Sequence, residues 1–352
     1  MTGARAAVDD GEQSQVRQRI STPASTIGPW LPEGALGEAL AQGLAQVESL
    51  LGTAVGSEHP FVREAAGHLV AAGGKRFRPV LALLAAQLGD PSAPEVVRAA
   101  VVCELTHLAT LYHDDVMDEA VVRRGAPSAN SRWTNSIAIL TGDFLFARAS
   151  DLLADQGPEA VRIQAQTFER LVTGQIRETV GPQPGDDPVA HYLDVLADKT
   201  GSLVATSARF GASFAGVEES LVRALTAFGE EVGVAFQLSD DLLDIVSRDG
   251  TSGKAPGTDL REGVATLPVL LALAGDDPRE ARLRELVAGP VADDDDHAEA
   301  LELLRSSAAL RRATGVLGDY AGRARERLAA VPDGEVRDAL SALCDYVVTR
   351  TS

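Results

Sequence analysis

Apolar residues recur at spacings of three and four from about Gly34 almost to the end of the chain, and no segment alternates β-branched with polar residues as a strand would. The pattern therefore predicts helices. Their breaks fall at Pro60, Asp90-Pro91, Gly157-Pro158, Gly216, Asp276-Asp277-Pro278 and Pro332-Asp333-Gly334. The stretch GPQPGDDP at 181–188 is read as a surface connection, because the helical patterns on its two sides have the same character. The expectation is an all-α chain with one domain over residues 29–352. Residues 1–28, polar with scattered Arg, Pro and Ser, are expected to form a disordered tail.

Two helical patterns run into acid. In APEVVRAAVVCELTHLATLYHDDVMDEA, Pro94 suits a first-turn position and the apolar repeat continues until Asp114, Asp115 and Asp118. In ALTAFGEEVGVAFQLSDDLLDIVS the same happens at Asp240, Asp241 and Asp244. Each cluster has the spacing i, i+1, i+4. On a helix i and i+4 share a face, so Asp114 with Asp118, and Asp240 with Asp244, form two-carboxylate claws.

Composition narrows the chemistry. With 32 basic and 51 acidic residues the net charge is −19, which opposes any general affinity for nucleic acid or an anionic membrane. A polyanionic ligand would need a local cationic pocket. Cys103 and Cys344, the two cysteines, have no metal-type spacing and offer no disulfide framework, which fits a cytoplasmic location. No apolar run reaches the length of a membrane span, and the first 28 residues lack the apolar core of a signal peptide. The run Asp293 to Asp296 before His297 is read as a solvated loop rather than a metal site.

Like charges at i, i+4 destabilise a helix by a few tenths of a kcal/mol, so two such claws need compensation. Oxygen ligands suit Mg²⁺, which takes few carboxylates, keeps several waters and binds substrate phosphates. A cationic set exists for those phosphates: GGKRFRP at 73–79, with Arg123 and Arg124 shortly after the first claw. The two glycines let backbone approach a ligand, and Lys75, Arg76 and Arg78 can converge on one diphosphate. Lys199 in DKTGSL and Lys254 in SGKAPGTD are further candidates.

In combination these motifs resemble the trans-isoprenyl diphosphate synthases, the polyprenyl synthetase family, from about residue 35 to the C-terminus. The resemblance implies a single large helical bundle of the class I isoprenoid synthase type around a central cavity. It also implies that Lys75, Arg78, His107 and Arg124 hold isopentenyl diphosphate. Asp114, Asp118 and Asp240 would ligate Mg²⁺, with Asp115, Asp241 and Asp244 completing the metal motifs. Arg123, Lys199 and Lys254 would grip the allylic diphosphate, and Gln175, Thr200 and Gln237 would face the allylic carbon. His107, seven residues before Asp114, lies two turns away on the same face, though a histidine packed in a helical core has the same pattern. One departure is Val264 in REGVATLP, where many members carry lysine; Lys254 and Lys199 would then suffice, or Arg261 would help.

The implied reaction is loss of diphosphate from an allylic substrate, attack by the double bond of isopentenyl diphosphate, and loss of a proton. Water must be excluded from the cation, so loops should close over the site. A class I terpene cyclase would share the fold and the first claw, but usually lacks GGKRFRP and a second DDxxD. A non-catalytic synthase subunit should have lost aspartates or arginines, and only the lysine at 264 is missing.

Product length should be set along the helix before Asp114. Short-chain members often carry an aromatic four or five residues upstream of the first aspartate, and here those positions are Thr110 and Ala109, both small. Leu105, Thr106 and Val102 follow on that side and obstruct weakly. Phe144 and Phe146 are candidates for the floor, or ordinary core aromatics. The expected product is an all-trans chain beyond geranylgeranyl, of the kind used for a quinone side chain, with geranylgeranyl as the alternative. The resemblance further implies a homodimer, with transient membrane contact at product release but no stable insertion.

Overall fold

A computed structural model describes residues 30–247 and 256–351. The expected tail over residues 1–28 and the candidate Lys254 lie outside the described residues. Helix α1 spans Gly34–Ala54, α2 Pro60–Ala71, α3 Phe77–Ala86 and α4 Pro94–Met117. A two-stranded hairpin follows, β1 Val122–Arg123 and β2 Ala126–Pro127, paired antiparallel in the register Val122 to Pro127 and Arg123 to Ala126. After it come α5 Ala129–Arg132, α6 Asn135–Ala154, α7 Pro158–Val180 and α8 Pro188–Leu196. A π-helical turn at Ala197–Gly201 leads into α9 Ser202–Phe214, and α10 runs over Glu219–Val246. The C-terminal part holds α11 Thr258–Glu262, α12 Leu267–Leu273, α13 Ala281–Leu286, α14 Asp294–Ser306, α15 Ala308–Arg327 and α16 Glu335–Thr349.

Helix α4 is buried on nearly every side, with Val96, Val101, Val102, Leu105, Leu108 and Tyr112 fully covered. A helix with no solvated stripe must have neighbours all round. Here α1, α3, α6 and α9 supply them. Each such aliphatic side chain removed from water contributes about 1.5–3 kcal/mol. The α4–α6 crossing is close enough that a Cβ at Gly142 would lie 2.3 Å from His113 Nε2 and 3.0 Å from the Ala109 carbonyl oxygen. Helix α10 packs on α9 and α15, and one buried apolar cluster extends from Trp30 to Val347.

Helix boundaries fall where the sequence punctuates them. Pro60, Pro94, Pro158 and Pro188 each occupy a first-turn position, where the missing N–H is no loss. The 181–188 stretch connects α7 to α8 as expected. The acidic run at 293–296 is not a loop. Asp293 caps α14, accepting from the backbone N–H groups of Asp295 at 2.9 Å and Asp296 at 3.0 Å, and the next three aspartates form the first turn. Negative charge is favourable there because the helix dipole and the free N–H groups face it. No helix among the described residues is long and apolar enough to cross a membrane.

Candidate active site

Asp114 lies in the last turn of α4 and Asp118 caps its end, with the Asp118 N–H donating to the Asp114 carbonyl at 2.8 Å. Burial pushes the Asp114 carboxyl up to about 6; Asp118 and Glu178 add to the shift, while Lys199 and Arg123 oppose it. A carboxylate that resists ionisation in this way is held ready for a cation. Asp115, grouped with the metal ligands by sequence, is instead fully buried and accepts from Arg123 Nε at 2.6 Å. It lies about 100° around the helix from its neighbour, outside the Asp114–Asp118 pair, with one oxygen held by the arginine and Oδ2 buried without a partner.

Past α4 the chain reverses through Arg124-Gly125, with φ of 54° and 75°. Two successive positive φ values make the tight turn that matches hairpin twist, and Asn-Gly is the usual occupant. Arginine in that conformation costs about 1–2 kcal/mol. Its guanidinium reaches back to the carbonyls of Gly73 and Leu69. Gly74 has φ 142°, a conformation that favours glycine, and a Cβ there would press on the Arg124 guanidinium carbon at 2.7 Å.

Arg76 is the second arginine with positive φ, 48°, and starts α3. Sequence placed it with Lys75 and Arg78 around a diphosphate, and the structure corrects this. Arg76 is buried, pairing with Glu48 of α1 at 2.5 Å and Glu104 of α4 at 2.9 Å. Burial opposes its charge, but the two carboxylates outweigh it and the pKa is raised. Arg78 behaves differently. Burial lowers its pKa, with Arg124 adding and Glu104 opposing, and its Nε has no hydrogen-bond partner. Burial followed by the charges of Arg78, Arg124, Arg123 and Arg76 holds the His107 imidazole well below its ordinary range, so it is neutral at pH 7. A neutral histidine in the field of Arg78 and Arg124, with the Arg78 Nε–H orphaned, is a site short of an anion.

The second acidic motif lies in the last turns of α10. Asp240 pairs with Arg350 at 2.9 Å. Asp241 is buried and accepts from the Tyr192 hydroxyl and from Gln237 Nε2 at 3.1 Å; burial pushes its carboxyl up to about 6. Asp244 caps α11, accepting from the N–H groups of Thr258 at 3.2 Å and Asp259 at 3.1 Å. Of the three, Asp240 has a carboxylate half-open to solvent, beside the buried Arg350 side chain. A cleft of about 510 Å³ is lined by Lys75, Gln237, Asp240, Asp241, Asp244 and Arg350, among others. Among the described residues no three acidic, His or Cys side chains form a closed metal cage.

Between the motifs lies the π-helical turn, which carries Lys199 and Thr200. Such turns insert one residue into a helix and often mark functional sites. Lys199 pairs with Glu178 of α7, and Thr200 donates to Gln237 Oε1 at 3.4 Å. The turn needs Gly174 of α7, where a Cβ would lie 2.7 Å from the Lys199 amide nitrogen. Gln175 donates to Glu178 at 3.1 Å, and its Oε1 is buried without a partner. Arg261 pairs with Asp294 at 2.7 Å, and Val264 is exposed.

On α4, His107, Thr110, Leu111 and Asp114 have some solvent access and form one i, i+3, i+4, i+7 face. Ala109, Leu105, Thr106 and Val102 are fully buried. Of the two upstream positions, then, Thr110 borders open space and Ala109 packs beside Gly142. Beyond this face Gln164 Nε2 of α7 donates to Thr106 Oγ1 at 2.7 Å. A cavity of about 230 Å³ follows, lined by Phe146, Phe168, Gln164, Leu153 and neighbours. Phe144, about 200° around the helix from Phe146, is not part of its wall.

A profile of the family described as polyprenyl synthetase matches residues 59–304. The chain belongs to the polyprenyl synthetase family. That makes it a trans-prenyltransferase. The chain is 51% identical over 333 residues to a nonaprenyl diphosphate synthase of Mycobacterium tuberculosis, covering 94% of this chain and 99% of that protein. Among solved structures it is similar to a geranylgeranyl pyrophosphate synthase from Corynebacterium glutamicum complexed with calcium and isoprenyl diphosphate. That match has a TM-score of 0.83 and 46% identity, covering 91% of this chain and 99% of the other. A decaprenyl diphosphate synthase from Rhodobacter capsulatus gives a TM-score of 0.80 at 36% identity, with 90% and 98% covered. Within the family member, sequence had not singled out Glu104, Glu178, Tyr192 or Arg350, whose site contacts come from distant parts of the chain.

Proposed function

We propose that this enzyme condenses isopentenyl diphosphate with an allylic diphosphate in a Mg²⁺-dependent reaction, making a long all-trans polyprenyl diphosphate of the kind used for a quinone side chain. The observation that carries the reading is the pairing of two different electrostatic sites. One is short of an anion, around Arg78, Arg124 and His107; the other is short of a cation, around Asp114. Isopentenyl diphosphate fits the first, where Arg78 Nε and a neutral His107 can both donate. The allylic diphosphate fits between the motifs, held by Arg123 and Lys199, with metal carried by Asp114, Asp118 and Asp240.

Bound Mg²⁺ would supply positive charge to the departing diphosphate. Arg123, held by Asp115, and Lys199, held by Glu178, present fixed positive charge to the same group without reorganising. The allylic carbon then faces Thr200, Gln237 and Gln175, whose oxygens are the polar groups suited to a transient cation. In this reading the released diphosphate takes the proton. We read residues 29–352 as the working unit, cytoplasmic and homodimeric, with membrane contact confined to product release. Exposed Ile139 and Leu140 on α6, and Val172, Ile176 and Val180 on α7, offer apolar surface for pairing.

Incubating the purified chain with labelled isopentenyl diphosphate, an allylic primer and Mg²⁺ tests the reading, with products dephosphorylated and separated by length. Incorporation that survives excess EDTA would remove the metal from the mechanism. No incorporation by the chain alone, regained on adding a second protein, would make it one subunit of a two-part synthase. Sedimentation at micromolar concentration checks the dimer.

A further inference from the structure

Tyr192 is on α8, outside both acidic motifs and outside the cationic loop, yet its hydroxyl donates to the buried Asp241 carboxylate. The same carboxylate accepts from Gln237 Nε2 at 3.1 Å, one helical turn earlier on α10. An ionised carboxylate can only accept, so the NH₂ end of the Gln237 amide must point at it. The amide oxygen is thereby turned the other way, to the Thr200 hydroxyl at 3.4 Å. Helix α8 is itself fixed to the end of α7: His191 bonds the Arg177 carbonyl at 3.2 Å and Asp194 pairs with Arg177 at 3.1 Å. Tyr192 therefore reaches Asp241 from a separately anchored element.

We propose that Tyr192 is a positioning residue for prenyl transfer: through Asp241 it fixes the Gln237 side chain with its amide oxygen facing Thr200 and the allylic carbon. This rests on the reading of Gln237 given above. An oxygen in that direction stabilises positive charge developing on the carbon, whereas a flipped amide would present its N–H₂ and oppose it. Without the tyrosine hydroxyl, Asp241 keeps one donor fewer and can rotate, and the amide is no longer confined to one orientation.

A double-mutant cycle on the full chain tests this, with geranyl diphosphate as the primer and labelled isopentenyl diphosphate as the partner. Tyr192→Phe should lower kcat by about tenfold, the loss expected of one hydrogen bond, with both KM values and the Mg²⁺ half-saturation unchanged. Gln237→Ala should lower kcat at least as much, and the double variant should be no slower than Gln237→Ala alone. Additive losses, or a raised Mg²⁺ half-saturation in Tyr192→Phe, would overturn the link from Tyr192 to Gln237 while leaving Gln237 in place. A fully active Gln237→Ala would instead overturn the role of Gln237, and the proposal with it. Should Tyr192→Phe not fold, Asp241→Asn goes through the same cycle. It keeps an acceptor for the tyrosine but can donate from its own amide, so Gln237 can flip and the same kcat loss is expected.

Discussion

Arg123 Nε meets the Asp115 carboxylate at 2.6 Å, and the middle aspartate of the first motif is thereby a fixture for an arginine. Asp115 is fully buried, and Arg123 keeps its far nitrogen 3.7 Å from Asp118. The two adjacent aspartates should consequently fail in different ways. Asp115→Asn should raise the KM for the allylic diphosphate several-fold and destabilise the fold by about 1.5–3 kcal/mol, the range for hydrogen bonds to charged groups, with Mg²⁺ half-saturation unchanged. Asp114→Asn should lower turnover by on the order of 10³-fold with the fold intact. Steady-state kinetics over a Mg²⁺ series checks both, and a shared phenotype would return Asp115 to the metal.

Asp114 and Asp241 also set a pH dependence. Both carboxyls are raised from 3.8 to about 6, chiefly by burial. Between those values the native state holds protons that the unfolded chain has released, so native stability falls as pH rises through this window. Without metal, the melting temperature should therefore be higher near the lower end of the window than above it. Mg²⁺ replaces the proton at Asp114, so the stabilisation by Mg²⁺ should be largest above about pH 7 and fade below about pH 5. Asp114→Asn should flatten the profile and melt higher than the parent without metal. Thermal scans in EDTA and in Mg²⁺ across this range check the sign.

Arg78 and Arg76, two residues apart, should separate function from folding. Arg78→Ala removes the guanidinium with the orphaned N–H and should raise the KM for isopentenyl diphosphate about ten- to hundredfold, with little change in the allylic KM. Lys75→Ala, at the exposed edge of the 510 Å³ cleft, should act in the same direction but less. Arg76→Ala leaves Glu104 buried, 2% exposed, without its partner, so its main effect should be a lowered melting temperature. Equal kinetic effects of Arg78→Ala on both substrates would mean that the two pockets are assigned the wrong way round.

Those contrasts show which parts of the site a one-dimensional pattern can carry. Period and punctuation placed α4 and α10, and i, i+4 spacing placed Asp114 and Asp118, since these depend on neighbours within one helix. Whether Arg76 or Arg78 meets substrate depends on Glu48 and Glu104, each 28 residues from Arg76 in opposite directions. Arg350 acts on a serine 111 residues away, and Tyr192 on an aspartate 49 residues away. Thr110 and Ala109 differ by one step of about 100° around α4, and only the position of Gly142 on α6 decides which is covered.

Product length turns on that same step. The accessible face of α4 ends at His107, and the Gln164–Thr106 hydrogen bond crosses the space one residue further on. Thr106 is eight residues before Asp114, about 12 Å along the helix, room for roughly two isoprene units at one per turn. The 230 Å³ cavity, with Phe146 and Phe168 in contact at 4.3 Å between ring centroids, lies on the other side of Gln164. A chain that extends more than about two units past Asp114 has to part this bond to enter the cavity, and Gln164 Oε1 is already buried without a partner, so the glutamine has little else to hold it. Thr106→Val, which keeps the volume and removes the acceptor, should shift products to longer chains, and Gln164→Ala should shift them further. Thr110→Phe should shorten them, because position 110 borders the open face, whereas Ala109→Phe would crowd the α4–α6 contact and mainly lower stability, by about 1–3 kcal/mol. Thin-layer separation of dephosphorylated products gives the answer for each variant. Unchanged lengths in Thr106→Val, Gln164→Ala and Thr110→Phe together would place the growing chain along a different wall.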